Sequence, residues 1–211
     1  MSISSIRKDY QLRSLSEADV HPDPIAQFSQ WWDEALRSEI DEVNAMTLST
    51  VTTEGRPSAR IVLLKGFDEK GFVFFTNYDS DKGHDLTANP FASLVFFWKE
   101  LERQVRIVGR CEQVSATESD EYYNSRPLGS KLGAWASPQS KIIESRDILD
   151  KNAEELLERY ADGNVPRPLH WGGYRVIPDT IEFWQGRSNR LHDRIKYTEN
   201  VGTWTLERLA P

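Results

Sequence analysis

The sequence predicts an α+β fold, mainly β, in which an antiparallel sheet closes into a barrel flanked by helices. Two observations carry this expectation. From residue 46 onward, most of the chain is a succession of short runs rich in β-branched and aromatic residues. Turn signals such as Glu54-Gly55-Arg56-Pro57 and Asp68-Glu69-Lys70-Gly71 separate these runs. Such turns are too short for the crossovers that parallel strands need, so neighbouring strands pair antiparallel, and closure is the economical way to remove exposed edges.

Residues 1–20 are polar and weakly patterned and read as a flexible N-terminal arm; residues 21–211 read as a single domain. His21-Pro22-Asp23-Pro24 opens a helix with Asp23 as N-cap and Pro24 at the first helical position. Ile25, Phe28, Trp32 and Leu36 then form an apolar stripe at spacings of three and four. Strands follow at 46–53, 58–67 and 72–77, then a short helix over 80–88 stopped by Asn89-Pro90. Two more strands, 92–98 and 104–115, surround Lys99-Glu100-Leu101-Glu102-Arg103. Residues 117–126 and 141–160 read as helices, with Thr117-Glu118-Ser119-Asp120 resembling a capping box and Pro127 ending the first of them. Short strands at 174–177, 180–185, 194–197 and 203–208 complete the chain.

The bulk properties exclude several classes. With 211 residues and a net charge of -7, the chain lacks the basic character of a nucleic-acid binder. No stretch approaches the roughly 18 apolar residues of a membrane span, and the N-terminus has no signal-peptide core. Cys111 is the only cysteine, so no intrachain disulfide forms, and a reducing, cytoplasmic compartment is expected. His21, His84, His170 and His192 show no metal spacing, and no metal is expected.

Chemistry concentrates in five places. In the run Trp184-Gln185-Gly186-Arg187-Ser188-Asn189-Arg190-Leu191-His192-Asp193-Arg194, extended backbone would point Arg190, His192 and Arg194 the same way, toward an anion; a solvated hairpin loop is the competing reading. In Arg60-Ile61-Val62-Leu63-Leu64-Lys65, strand alternation places Arg60 and Lys65 on opposite faces, where they serve two different anions or merely solubilise the strand. Phe75-Thr76-Asn77 leads into the helix start Ser80-Asp81-Lys82, whose free N–H groups and lysine suit a phosphate. Gln104 can both donate to and accept from a heterocycle edge. Tyr122, Arg126 and Ser130 converge near a helix end as a plausible phosphate clamp, or as an ordinary C-terminal arginine with neighbours; Gly133-Ala134-Trp135 and Gln139-Ser140 continue a polar, turn-rich segment.

Taken in order with Leu101-Glu102-Arg103-Gln104-Val105, Ser125-Arg126-Pro127, Trp171-Gly172-Gly173, Phe183-Trp184-Gln185-Gly186 and the ending Arg208-Leu209-Ala210-Pro211, these segments resemble the pyridoxine/pyridoxamine 5′-phosphate oxidase family over nearly the whole chain. The resemblance implies a split β-barrel homodimer with FMN in clefts at the subunit interface. It also implies oxidation of pyridoxamine or pyridoxine 5′-phosphate to pyridoxal 5′-phosphate. With it goes the expectation that hydride passes from C4′ of the substrate to the flavin and that O2 reoxidises the flavin to give hydrogen peroxide. It assigns Arg60 and Lys82 to the FMN phosphate. Further FMN contacts come from Ile61, Val62, Leu63, Leu64, Lys65, Phe75, Thr76, Gln104, Gln139, Ser140, Trp184 and Arg194. Lys65, Tyr122, Arg126 and Ser130 become the substrate-phosphate clamp, Arg190 and His192 the catalytic pair over the substrate ring, with Leu191 between them. Arg7, Lys8, Asp9 and Tyr10 match an arm segment that closes over substrate. Asp81 departs from the family, which often carries arginine there; an aspartate beside a phosphate must turn outward. Two other readings are a split-barrel flavoenzyme acting on another ring system, such as a phenazine precursor, and a flavin or pyridoxal-phosphate carrier without turnover.

Overall fold

The computed structural model describes residues 2–211. After an arm with one 3-10 turn (Ile3–Ser5) come α1 (Pro24–Leu36), β1 (Ala45–Val51), β2 (Pro57–Leu63), β3 (Gly66–Asp68) and β4 (Gly71–Asn77). Then follow α2 (Asp81–Ala88), β5 (Phe91–Trp98), β6 (Arg103–Gln113), α3 (Ala116–Ser125), α4 (Leu128–Ala136) and α5 (Asp147–Arg159). The long β7 (Trp171–Gln185), β8 (Asp193–Asn200) and β9 (Thr203–Arg208) end the chain.

All pairings are antiparallel, in the order β2-β1-β5-β6-β7-β4-β3, with β8 and β9 branching from β7. The branch splits the barrel. The first half of β7 pairs with β4, from Trp171 to Val176, and its second half pairs with β8, from Thr180 to Gln185. Between the halves, Val108 pairs with Thr180 but Gly109 with Pro178, so Asp179 is the extra residue of a β-bulge. The two strands expected at 174–177 and 180–185 are therefore one, because the bulge accommodates a proline that ordinarily interrupts a strand. Gly109 is essential to this junction, since a Cβ there would lie 2.0 Å from the Ile177 carbonyl oxygen. Gly109→Ala should cost about 3 kcal/mol, the upper end of overpacking costs, seen as a lower urea midpoint at unchanged slope; an unchanged midpoint would mean that the bulge has room for a side chain.

Helix α1 fills the curled sheet. Asp23 accepts the Ile25 N–H and Pro24 takes the first position, as expected. The buried face is Phe28, Trp31 and Ala35, not the expected line through Trp32 and Leu36; Leu36 is exposed and Trp32 packs at the flank. Phe28 meets Phe67, Phe72, Phe96 and Trp98, and Trp31 meets Phe183, so one helix face contacts both halves of the sheet. Full burial of a side chain such as Phe28 contributes roughly 2–3 kcal/mol.

Other boundaries moved for identifiable reasons. The strand expected over 58–67 breaks because Leu64 donates its N–H to Asn44 while Lys65 donates to Val73, exchanging β1 for β4 as partner. The helix start near residue 117 is capped by Ser115, whose hydroxyl accepts the Glu118 N–H. Helix α4 replaces the expected turn-rich segment. Gly129 and Gly133 weaken its helical signal, but Leu132 and Ala136 pack on Leu156 and Val165 and hold it. The helix expected from 141 begins only at Asp147. Cys111 is buried and its thiol is pushed up to about 12, consistent with a packing role.

Candidate active site

The predicted site residues gather in two places. The first is a cavity of about 510 Å³. One wall is the end of β2 and its junction with β3, with Ile61, Val62, Leu63 and Lys65. A second is the β4–α2 corner, with Phe75, Thr76, Asn77 and Lys82. The third is the α3–α4 joint, with Tyr122, Arg126, Pro127 and Ser130; Gln139 and Trp171 complete the lining. Leu64 points instead into the core, and Ser140 stands behind Gln139 with its hydroxyl accepting the Asp81 N–H.

Arginine 126 is the most informative side chain here. Its guanidinium lies 4.6 Å from the Trp171 ring centre and 5.7 Å from that of Tyr123. Its Nη1 is buried and has no hydrogen-bond partner. A buried donor on a cation without an acceptor is costly, and the cost is met when an anion binds. Trp171, Phe75 and Tyr122 are stacked, with Phe75 4.1 Å from Tyr122 and 5.5 Å from Trp171, so the ring under Arg126 is backed by two others. The Lys65 ammonium stands 5.8 Å over the Tyr122 ring, on the side of the same clamp.

Across the cavity, Lys82 and Arg60 approach each other. Lys82 donates to Gln139 Oε1 at 2.8 Å and Ser80 Oγ at 3.0 Å. Arg60 donates to Thr50 Oγ1 and Ser58 Oγ, both at 2.6 Å, and lies 3.9 Å from Asp85. Burial and then the Arg60 charge push Lys82 down to about 8, against the opposing pull of Asp81. Asp81 is itself exposed at the start of α2, and its charge acts on both Lys82 and Arg60. Two crowded cations beside a helix N-terminus form a second place suited to a phosphate.

The second gathering is a cavity of about 530 Å³ between arm residues Ile6, Arg7, Lys8, Asp9 and Tyr10 and loop residues Arg187, Asn189, Arg190 and His192. The expected alternation of Arg190, His192 and Arg194 fails. Ser188–Arg190 is a 3-10 turn, and Asn189 and Arg190 have positive φ of 58° and 65°. The kink sends Arg190 and His192 to the cavity, while Arg194 pairs with Glu182 at 2.8 and 3.1 Å and donates to the Ala210 carbonyl. His192 Nδ1 accepts the Arg187 N–H at 3.0 Å, and its ring sits 4.6 Å from Trp184. Burial, then Arg190, lowers the His192 pKa, with Asp193 opposing. The neutral imidazole is favoured, and with Nδ1 accepting, its proton is on Nε2. Leu191 is exposed beside it. Gln104 is the cross-strand neighbour of Trp184.

These gatherings do not meet within one chain. Phe75 pairs with Gly173 on β7, and Trp184 lies eleven residues further along the same strand, on the order of 30 Å away. Sequence reasoning gave no role to Trp171 and left Asp193 and Arg187 unassigned. Asp193 accepts from the Leu15 N–H, Arg187 and Arg208, and so anchors arm, loop and β9. Among the described residues no cluster of three or more His, Cys, Asp or Glu could hold a metal ion, and no helix is long and apolar enough to cross a membrane.

Residues 32–160 match the family model of pyridoxamine 5′-phosphate oxidase, and residues 171–211 match that of the pyridoxine 5′-phosphate oxidase C-terminal dimerisation region. The chain belongs to the pyridoxine/pyridoxamine 5′-phosphate oxidase family. Relatives of that name from Burkholderia cenocepacia and Nostoc punctiforme are 59% and 57% identical, over 100% of this chain and 99% of each relative. Among solved structures, PhzG from Burkholderia lata, in complex with tetrahydrophenazine-1-carboxylic acid, is similar with a TM-score of 0.89 and 31% identity, over 95% of this chain and 99% of that one. A pyridoxamine 5′-phosphate oxidase-related, FMN-binding protein from Nostoc punctiforme shares the fold, with a TM-score of 0.71, 18% identity, and coverage of 90% and 98%. This oxidase is therefore a split-barrel flavoprotein, and its strands β7 to β9 lie in the region named for dimerisation.

Proposed function

We propose that this oxidase converts pyridoxamine 5′-phosphate and pyridoxine 5′-phosphate to pyridoxal 5′-phosphate, with FMN as resident cofactor and O2 as electron acceptor. The amine reaction consumes O2 and water and yields ammonia and hydrogen peroxide; the alcohol reaction yields peroxide alone. The observation that carries the reading is the buried, unpartnered Arg126 Nη1 in one cavity with Lys65, Tyr122 and Ser130.

The donor set fits both phosphates. Arg60 and Lys82 would hold that of FMN, with Gln139 and Ser140 alongside, and Ile61, Val62, Leu63, Phe75 and Thr76 lining the approach. Lys65, Tyr122, Arg126 and Ser130 would take the substrate phosphate. When bound, FMN supplies the hydride acceptor and the route for electrons to oxygen. The protein's task is orientation: the clamp fixes the substrate through its phosphate, remote from the reacting carbon. Arg190 covers the pyridine ring, and His192 offers its Nε2–H to a ring substituent. Because the two gatherings are far apart within one chain, a second copy would bring its Gln104, Trp184, Arg190, His192 and Arg194 to the cavity of the first. The dimerisation region at 171–211 supports this arrangement.

The second reading follows from PhzG, whose ligand is a carboxylic acid without a phosphate. Such a substrate would leave the four-residue phosphate clamp without its anion. The deciding experiment adds pyridoxamine 5′-phosphate to the flavin-loaded protein under air and measures peroxide and pyridoxal 5′-phosphate together. Equimolar appearance is expected. Binding without turnover would make the chain a carrier, and turnover only of a tricyclic acid would favour the second reading.

Flavin affinity should depend on pH. Free of flavin, Lys82 loses its proton near pH 8, whereas a bound phosphate favours the ammonium. Affinity is then full below that pH and declines above it, by up to about tenfold per pH unit. Fluorescence titration with FMN between pH 7 and 9.5 checks this; a flat Kd would remove Lys82 from the phosphate site.

A further inference from the structure

Glu102 closes the 3-10 turn Lys99–Leu101 between β5 and β6. It is 3% exposed, and it adopts a left-handed conformation at φ 53° that favours glycine. Its backbone carbonyl accepts the Gly186 N–H at 2.8 Å and the Gln185 amide at 3.2 Å, tying it to the loop that carries Arg190 and His192. Its carboxylate faces the arm: one oxygen accepts the N–H groups of Gln11 at 2.9 Å and Leu12 at 3.1 Å, and the other lies 3.4 Å from the Lys8 ammonium.

The loop has a matching notch. A Cβ on Gly186 would stand 2.7 Å from the Tyr10 ring, so glycine leaves the space that Tyr10 occupies. Tyr10 sits edge-on to Trp184 at 5.7 Å and 6.0 Å from His192, and its carbonyl accepts from Ser188 Oγ at 3.3 Å. The arm therefore closes one side of the Arg190–His192 cavity at a position set by a buried charge and a missing side chain.

We propose that Glu102 is a positioning residue for the reaction: its carboxylate latches the arm backbone at Gln11 and Leu12, which seats Tyr10 in the Gly186 notch and shapes the Arg190–His192 cavity for the substrate ring. The proposal rests on the reading that this cavity takes the substrate. Nothing in it requires Glu102 to touch substrate or exchange a proton.

The test uses the full-length, flavin-loaded enzyme and two readouts. Glu102→Gly removes the carboxylate and relaxes the left-handed backbone, so the fold is retained; Glu102→Gln keeps one acceptor oxygen and serves as the conservative control. Gly186→Ala displaces Tyr10 from the other side. Limited trypsin cleavage at Arg7, Lys8 and Arg13 reports arm release without reference to activity. In Glu102→Gly it should accelerate by roughly tenfold or more, the factor expected for losing even one hydrogen bond to a charged group. KM for pyridoxamine 5′-phosphate should rise by a similar factor, with kcat changed less and flavin content unchanged. Glu102→Gln should fall between parent and glycine variant, and Gly186→Ala should resemble Glu102→Gly. Cleavage as slow as in the parent would overturn the latch, and faster cleavage with unchanged KM would overturn the positioning role. If the parent itself shows no turnover, the functional reading fails and the positioning role with it, while the cleavage rates still show whether Glu102 pins the arm.

Discussion

Replacing Arg126 with alanine should raise KM for pyridoxamine 5′-phosphate by roughly 100-fold, equivalent to about 3 kcal/mol, as expected for truncating one member of a hydrogen-bonded charge pair. The effect is large because the pocket is built for the guanidinium. Trp171 and Tyr123 hold its plane, and Nη1 is buried with nothing to donate to. The loss should fall on the substrate alone. The FMN phosphate is assigned to Arg60 and Lys82 on the far wall, so flavin content per chain should remain that of the parent. Steady-state kinetics beside an absorbance measurement of bound flavin checks both. Equal loss of flavin and substrate affinity would show that the two phosphate positions have been interchanged.

Arg190→Met should lower kcat/KM by about 100-fold, the scale of losing one oriented contact at the reacting ring. Methionine keeps most of the stem and removes the charge and the donors. Among the described residues Arg190 has no ion pair, in contrast to Arg187 and Arg194, which are held by Asp193 and Glu182. The positive φ of Asn189 and Arg190 marks a kink that directs this free cation to the cavity. Stability and flavin content should be unaffected, because no contact within the fold is lost. Near-normal catalytic efficiency under air would remove Arg190 from the substrate ring.

Much of the architecture was legible because antiparallel strands with short turns carry local signals. Asp23 and Pro24 marked α1, and runs of β-branched and aromatic residues between turn signals marked β1, β5 and β6. The failures share one cause: long-range pairing that local pattern does not encode. The break at Leu64 and Lys65 comes from two partners, Asn44 and Val73, competing for successive N–H groups. The continuity of β7 through Pro178 depends on Gly109 in another strand. Helix α4 depends on Leu156 and Val165 in α5 and beyond.

The site divides the same way. Lys65, Tyr122, Arg126, Ser130 and Lys82 were selected as cations and hydroxyls near element ends, and the fold brings them to one cavity. Trp171 and Glu102 carried no such signal. A tryptophan before two glycines reads as core, and a glutamate in a charged hairpin reads as solvated. Their importance appears only when Arg126 is seen stacked on the first and the arm bonded to the second. Alternation also misled in the loop, where the left-handed pair at 189 and 190 turns Arg194 away from Arg190 and His192.

Mixed dimers test most directly whether the site is assembled from two copies. Arg126→Ala and Arg190→Met impair opposite halves. In a two-fold dimer, a mixed pair contains one doubly altered site and one intact site. Co-expressing the two variants with distinguishable tags, or unfolding and refolding them together, should restore activity to about a quarter of the parent level, since random pairing makes half the dimers mixed and half their sites intact. Recovery to that level is the predicted result. If mixed dimers form and activity stays at the level of the separate variants, Arg126 and Arg190 belong to the same subunit's site and the shared-site account is wrong.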